Sequence, residues 1–345
     1  MTKRTDKFSR RTAIKAALAA GAMGLSGCKP TAVAPIEVDP EYVSVNEAAE
    51  IYSDLYKKIK AAFESTKPDR FLKIFVGEAH KGRESYTSTA YEYMIMDIAS
   101  KLKIKRLQLE AADDSLAIVE GAYKRGLIPN DMAPPFQMSD ASMIRVFPQF
   151  KEAGFDIRPM DNGLTQEESI KKKDQYIEET ASQRLKEKFK LTSLPKVSCK
   201  TSSKSAEYST KIESPYIPGV SDRDKDSVIS GVQLESLAYM ARLREPKMIQ
   251  NIDSANHEMI ISGAAHSKNL STTIAQNKKY EVFVVNAIPS WAKDVNPYRI
   301  EEDKWIKDPK NAQKPTEKPF SPAVNMKAFL EQAIALSQKN RAFAI

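Results

Sequence analysis

The sequence predicts an α/β fold: a mostly parallel central sheet flanked by helices, forming a single domain with a long polar insertion. Two observations carry this. Short apolar runs of strand length alternate with segments whose apolar residues recur at helical spacing, the signature of strand–helix–strand units. The chain has 345 residues with 41% hydrophobic content, enough for one large core and too much for a disordered chain.

Residues 1–27 read as a signal peptide and residues 28–42, with Pro30, Pro35 and Pro40, as a tether. The domain then runs from 43 to 345. Residues 43–65 place Ala48, Ile51, Tyr52, Leu55, Ile59 and Phe63 along one helix face. Phe71–Val76 is a buried strand ending at Gly77, Glu84–Leu102 a helix, and Arg106–Leu109 the second strand. Asp113–Arg125 and Ser139–Ala153 read as helices stopped by Gly126 and Gly154. Asp156–Met160 is the third strand and Gln166–Phe189 a long charged helix. Residues 191–225, rich in Ser, Thr, Lys and Pro, read as a structureless, flexible insertion. Asp226–Asp253 returns to helical spacing; Met259–Ser262 is the fourth strand, Leu270–Gln276 a short helix, and Glu281–Ile288 the fifth strand. Residues 289–324 are polar, and Asn325–Lys339 closes the chain as a helix.

The formal charge is +8, but its location matters more than its size. Residues 1–27 carry a net +5, which leaves only +3 for the remainder. In the body, basic residues do not interleave with aromatics, which argues against nucleic-acid binding. Lys171–Lys173 and Lys186–Lys190 read as solvated helix faces. The basic N-terminal stretch instead precedes a mild apolar run, Ala16–Leu25, of about ten residues, well short of the ~20 that span a bilayer. Arg10-Arg11 with Lys15 resembles a twin-arginine export signal, although Ala13 stands where Phe is usual. Leu25-Ser26-Gly27-Cys28 matches a bacterial lipobox, so Cys28 is the expected lipidation site and new N-terminus. The expected location is the cell envelope, anchored to the membrane through lipid on Cys28, on the extracytoplasmic or periplasmic side. The second of the two cysteines, Cys199, then has no intramolecular partner and reads as an isolated thiol.

The chain has only three histidines, and two of them end matching segments. Lys73-Ile74-Phe75-Val76-Gly77-Glu78-Ala79-His80 closes the first strand, and Met259-Ile260-Ile261-Ser262-Gly263-Ala264-Ala265-His266 the fourth. Ligands of parallel α/β sheets bind beyond the carboxyl ends of strands, so neighbouring strands would bring both imidazoles to one crevice. Glu78, two residues before His80, shares its side in extended chain. Glu110 ends the second strand and Asp161 the third, at the same level. Two His with one or two carboxylates suit a divalent ion such as Zn, Mn, Fe or Co. The same set without metal suits a His general base that a carboxylate orients toward water. The plainer alternative for each residue is a buried hydrogen bond, a cap or a turn. Arg83 and Arg244 would either bind an anionic substrate group or pair with Glu78 or Glu110. His257 precedes the fourth strand and belongs at the opposite end of the sheet.

This pattern resembles the superfamily that joins erythromycin esterases, ChaN-type haem-binding lipoproteins, TIKI proteases and TraB-like proteins. Gly77-Glu78-Ala79-His80 with Arg83-Glu84 resembles the Gly-Glu-Ala-Thr-His-Gly-Thr-Arg-Glu stretch of the esterases, without the Thr before the His. Arg244 and Met248 resemble the Arg and Met of the helix before the esterases' later His. The resemblance spans roughly residues 70–290, with 190–225 unmatched. The esterase branch implies His80 as the base that cleaves a lactone. The TIKI branch implies a metal-dependent protease with ligands at His80, Glu110 and His266. The ChaN branch implies a haem- or iron-binding uptake lipoprotein without catalysis and directs attention to Tyr86, Tyr91 and Tyr93, although tyrosines on such a helix commonly pack in the core. The Trp-rich middle of that branch is absent, since Trp291 and Trp305 lie near the C-terminus. The expectation is a hydrolase of an ester, lactone or amide in a small molecule or peptide, with Glu78, His80, Glu110 and His266 catalytic and Asp161 an additional metal ligand; haem uptake is the alternative.

Overall fold

The computed structural model describes residues 38–79, 84–111, 113–132, 142–161, 164–204, 207–287, 312–313, 316–322 and 324–342. The expected export signal, Cys28, most of the expected tether, His80, Arg83, Trp291 and Trp305 lie outside the described residues. Among those described, no helix is long and apolar enough to cross a membrane.

The predicted α/β architecture is what the chain forms. Five strands, β1 (Phe71–Glu78), β2 (Arg106–Leu109), β3 (Asp156–Pro159), β6 (Glu258–Gly263) and β7 (Tyr280–Asn286), are joined at one edge by the two-residue β8 (Ala312–Gln313). The order across the sheet is β3-β2-β6-β1-β7-β8, with every pairing parallel. β1 and β6 read as continuous apolar runs because both of their faces are covered.

One face packs on α1 (Val45–Ser65), α2 (Glu84–Lys101), α4 (Ser142–Glu152) and α8 (Met326–Ala342). It is built from Ile74 and Val76 of β1, Leu107 and Leu109 of β2, and Met259 and Ile261 of β6. α1 starts where Ser44 and Glu47 form a reciprocal capping box, and its Ala48, Tyr52, Leu55 and Ile59 are fully buried. α2 lies at the centre of this layer and is buried almost all round, polar residues included. Two of those polar groups make tertiary bonds: Ser88 Oγ accepts from Ala79 N and donates to the Ala287 carbonyl, and Thr87 Oγ1 accepts from Phe320 N.

The other face packs on α6 (Asp222–Asn251) and α7 (Ala264–Ala275), with Phe75, Ile260, Val284, Met248, Leu270 and Ile274 between them. α3 (Asp113–Lys124) follows β2, and α5 (Gln166–Lys188) follows β3.

The structure corrects the reading of residues 191–225 as structureless. They hold an antiparallel hairpin, β4 (Ser198–Lys204) and β5 (Glu207–Glu213), and α6 starts at Asp222, capped by Ser221. Val197 and Cys199 of the hairpin pack on Ile177, Ala181 and Leu185 of α5 and on Ile229 and Val232 of α6, forming a small separate core. Alternate residues Val197, Cys199 and Thr201 are buried and those between them exposed, a strand period written mostly in small polar residues. The N–H groups of Cys199 and Thr201 are met by Glu178 and Asp174 of α5 at 2.8 Å each, so a helix covers the open edge of the hairpin.

Candidate active site

Nothing in the sequence requires the two Gly-x-x-His strands to be neighbours, yet β1 and β6 are hydrogen-bonded partners, with Gly77 opposite Ser262 and Glu78 opposite Gly263. The helix after β1, α2, covers one face, and the helix after β6, α7, covers the other. The β1/β6 boundary is therefore the topological switch point of the sheet, the place where open parallel sheets commonly bind their ligands. Gly77 makes this closeness possible. A Cβ there would lie 3.2 Å from the Ala264 backbone and 3.3 Å from Ser267 Cβ.

His266 lies in the first turn of α7, whereas the sequence reading started that helix at Leu270. The reason is that the cap is not local. Gly263 is the N-cap and supplies no side chain; Glu110, from the end of β2, accepts the Gly263 N–H through Oε2 at 2.7 Å. A carboxylate at a helix N-terminus is favoured by the helix dipole as well.

The other oxygen of Glu110 faces two groups. Arg244 Nη2 donates to Oε1 at 3.0 Å, and His266 Nε2 lies 3.4 Å from it. Arg244, on α6, also donates through Nε to Asp161 Oδ2 at 2.7 Å and through Nη2 to the same oxygen. Burial alone would lower the pKa of this guanidinium, but the Asp161 and Glu110 carboxylates outweigh it and raise the value above the ordinary one. Of the two roles open to Arg244, pairing with Glu110 is the one its geometry displays. The end of α6 is fastened to the strand ends as well: Gln108 donates to the Asn251 carbonyl, and Asn251 donates to the Met160 carbonyl.

The sequence reading missed Glu245, the neighbour of Arg244. Its Oε1 lies 3.1 Å from His266 Nδ1 and accepts from Asn269 Nδ2 at 3.0 Å. Burial would raise its pKa, but the His266 and Asn269 hydrogen bonds more than offset this and hold it below the usual carboxylate range. The available sequence signal was an acidic residue beside an arginine already singled out, just before Pro246 inside the helix.

Glu110, Asp161, Arg244 and His266 thus form one connected cluster. Strand alternation groups Glu78 with Ile74 and Val76, facing α2, and its side chain is 2% exposed. His257 sits away from the crevice, its Nδ1 accepting from Leu72 N at 2.8 Å and its ring against Phe63 and Phe71. Tyr91 and Tyr93 belong to the core cluster, with Tyr86 packed against it. Burial pushes the Cys199 thiol up to about 12, reinforced by Asp174, so it is protonated at neutral pH.

Among the described residues no group of three His, Cys, Asp or Glu is set to hold a metal ion. The pair His266 Nε2 and Glu110 Oε1 nevertheless suits one. Two ligands each ~2.1 Å from an ion at a tetrahedral angle stand about 3.4 Å apart, the separation the two atoms have. Comparison of the chain with family models, with curated proteins and with solved structures finds no match.

Proposed function

We propose that this chain is a lipid-anchored hydrolase of the bacterial cell envelope that cleaves an ester, lactone or amide with an activated water. The observation that carries the reading is the parallel pairing of β1 with β6 at the switch point, which brings the ends of both Gly-x-x-His strands to one crevice. His80 follows β1 by two residues and His266 opens α7 directly after β6.

In this reading His80 is the base that takes a proton from water. His266 faces the crevice through Nε2, which first receives a proton and then passes it to the leaving group. Glu110, held between Arg244 and the Gly263 N–H, balances charge that develops on either imidazole. Arg244 fixes the spacing of Glu110 and Asp161, so substrate recognition falls to other groups, Arg83 among them. Where a divalent ion is bound, His266, Glu110 and His80 would hold it, with Asp161 adjacent, and it would supply Lewis-acid polarisation and a more acidic bound water. The alternative of haem uptake finds less support, because Tyr91 and Tyr93 of α2 are committed to the core. Export and lipidation at Cys28 place the crevice outside the cytoplasm.

The test uses protein produced without its signal, alongside His80→Ala and His266→Ala. Hydrolysis of a panel of aryl esters, lactones and peptides is followed, with metal and haem content. Hydrolysis lost in His80→Ala supports the reading; metal lost from both variants assigns the metal-dependent form. A Soret band unchanged in both, with no hydrolysis, replaces the reading by haem binding. Palmitate labelling that persists in Cys28→Ser refutes the anchor.

A further inference from the structure

His266 is held at Nδ1, and the hold comes from two helices. Asn269 lies three residues after His266 on α7, so both face the same way, toward α6. There Glu245 Oε1 lies 3.1 Å from Nδ1 and 3.0 Å from Asn269 Nδ2. Arg244 and Glu245 are consecutive on α6, about 100° apart around its axis. This lets one reach the ends of β2 and β3 while the other reaches α7.

We propose that Glu245 is a positioning residue: it holds the His266 ring as the Nδ1–H tautomer and turns the bare Nε2 toward Glu110 and the crevice. A carboxylate oxygen only accepts, so the single proton of a neutral ring belongs on the nitrogen in the closer, hydrogen-bonding contact, Nδ1 at 3.1 Å from Glu245 against 3.4 Å from Nε2 to Glu110. A neutral ring protonated at Nδ1 has its lone pair on Nε2. The group across from that lone pair, Glu110 Oε1 at 3.4 Å, is also an acceptor and already receives Arg244. Two acceptors face each other there, an arrangement suited to receiving a proton or a cation from whatever enters the crevice. The same division of labour, one imidazole nitrogen on a carboxylate and the other on the chemistry, serves both a general acid–base and a metal ligand.

The functional consequence rests on the hydrolase reading; the tautomer does not, and the experiment separates them. With ring nitrogens labelled with ¹⁵N, two-bond ¹⁵N–¹H correlation at pH 8 resolves the three histidines, and His266→Gln identifies the His266 pattern. The expected pattern is protonated Nδ1 and bare Nε2, dominant by about tenfold or more, as a charge-assisted hydrogen bond sustains. Glu245→Gln keeps an acceptor and should keep this pattern. Glu245→Leu removes the acceptor and should bring the two tautomers to comparable populations. An Nε2–H pattern or a doubly protonated ring in the parent overturns the proposal, as does an unchanged pattern in Glu245→Leu. The parent spectrum decides the tautomer even if the Leu variant fails to fold. An Nδ1–H ring in a protein that cleaves nothing overturns only the hydrolase reading, and an Nε2–H ring in an active one overturns only this inference.

Discussion

Adding one carbon at Gly77 should displace the helix that carries His266. The new Cβ would sit 3.2 Å from Ala264 Cα, 3.3 Å from Ser267 Cβ and 3.5 Å from Ala264 Cβ. Carbon atoms settle at about 3.5–4.0 Å, so the first two contacts are short by a few tenths of an ångström. β1 cannot yield, because Gly77 is paired with Ser262 on one side and Asn286 on the other. The start of α7 must therefore lift, against the bond from Gly263 N to Glu110. Overpacking of this kind costs about 1–3 kcal/mol. The smaller unfolded-state entropy of Ala returns about 0.4–1 kcal/mol. The expected net loss for Gly77→Ala is about 1–2 kcal/mol, with a larger loss for Gly77→Val. At a urea m-value of about 3 kcal/mol/M this lowers the midpoint by roughly half a molar. Ala264→Gly should not rescue it, because the nearest atom is backbone. A Gly77→Ala protein as stable as its parent would refute the close seating of α7 on β1.

Three further outcomes are expected. Lys73→Met should cost about 3–5 kcal/mol in urea titration, because Lys73 and Glu258 form an ion pair with both side chains 0% exposed; adding Glu258→Leu should recover most of it. Burial, then the charge of Lys73, hold the His257 pKa below its ordinary value in the folded state, so stability should be full above about pH 6.5 and fall as pH drops below it. That decline, measured as urea midpoint between pH 8 and 5, should flatten in His257→Gln. Cys199 should react slowly with a thiol reagent at pH 8 in the native protein and faster in Asp174→Ala, which loses the bonds to Thr201 N and Cys199 Sγ.

The sheet was legible because its central strands, β1 and β6, are buried on both faces and helical segments separate the strands. Strand ends could therefore be counted, and the carboxylates at Glu110 and Asp161 found. The direction of Glu78 was harder. The i, i+2 rule does not say which face of the sheet the side chain takes, and that depends on the helices that cover it. Glu245 was hidden because residues on a helix reach a site according to where its axis crosses the strand ends, a tertiary property. The start of α7 was hidden because its capping acceptor is Glu110, remote in sequence from Gly263. The hairpin after α5 was hidden by composition: Cys199 and Thr201 mark its buried side, and neither registers as strongly hydrophobic.

The placement of β6 also bears on how the molecule can be assembled. β6 lies between β1 and β2, and its pairing Lys73–Glu258 closes 185 residues of sequence. Until residue 258 is available, β1 and β2 have no direct contact through the sheet, and each presents an open edge to the same empty slot. A chain shortened before β6, or one still being made, also lacks β7, so both edges of β1 and one edge of β2 stay open for other chains to join. The late strand that leads into the helix of His266 is thus also the wedge that shields the sheet from its own aggregation, and C-terminal truncations should be lost from the soluble fraction before any question of activity arises.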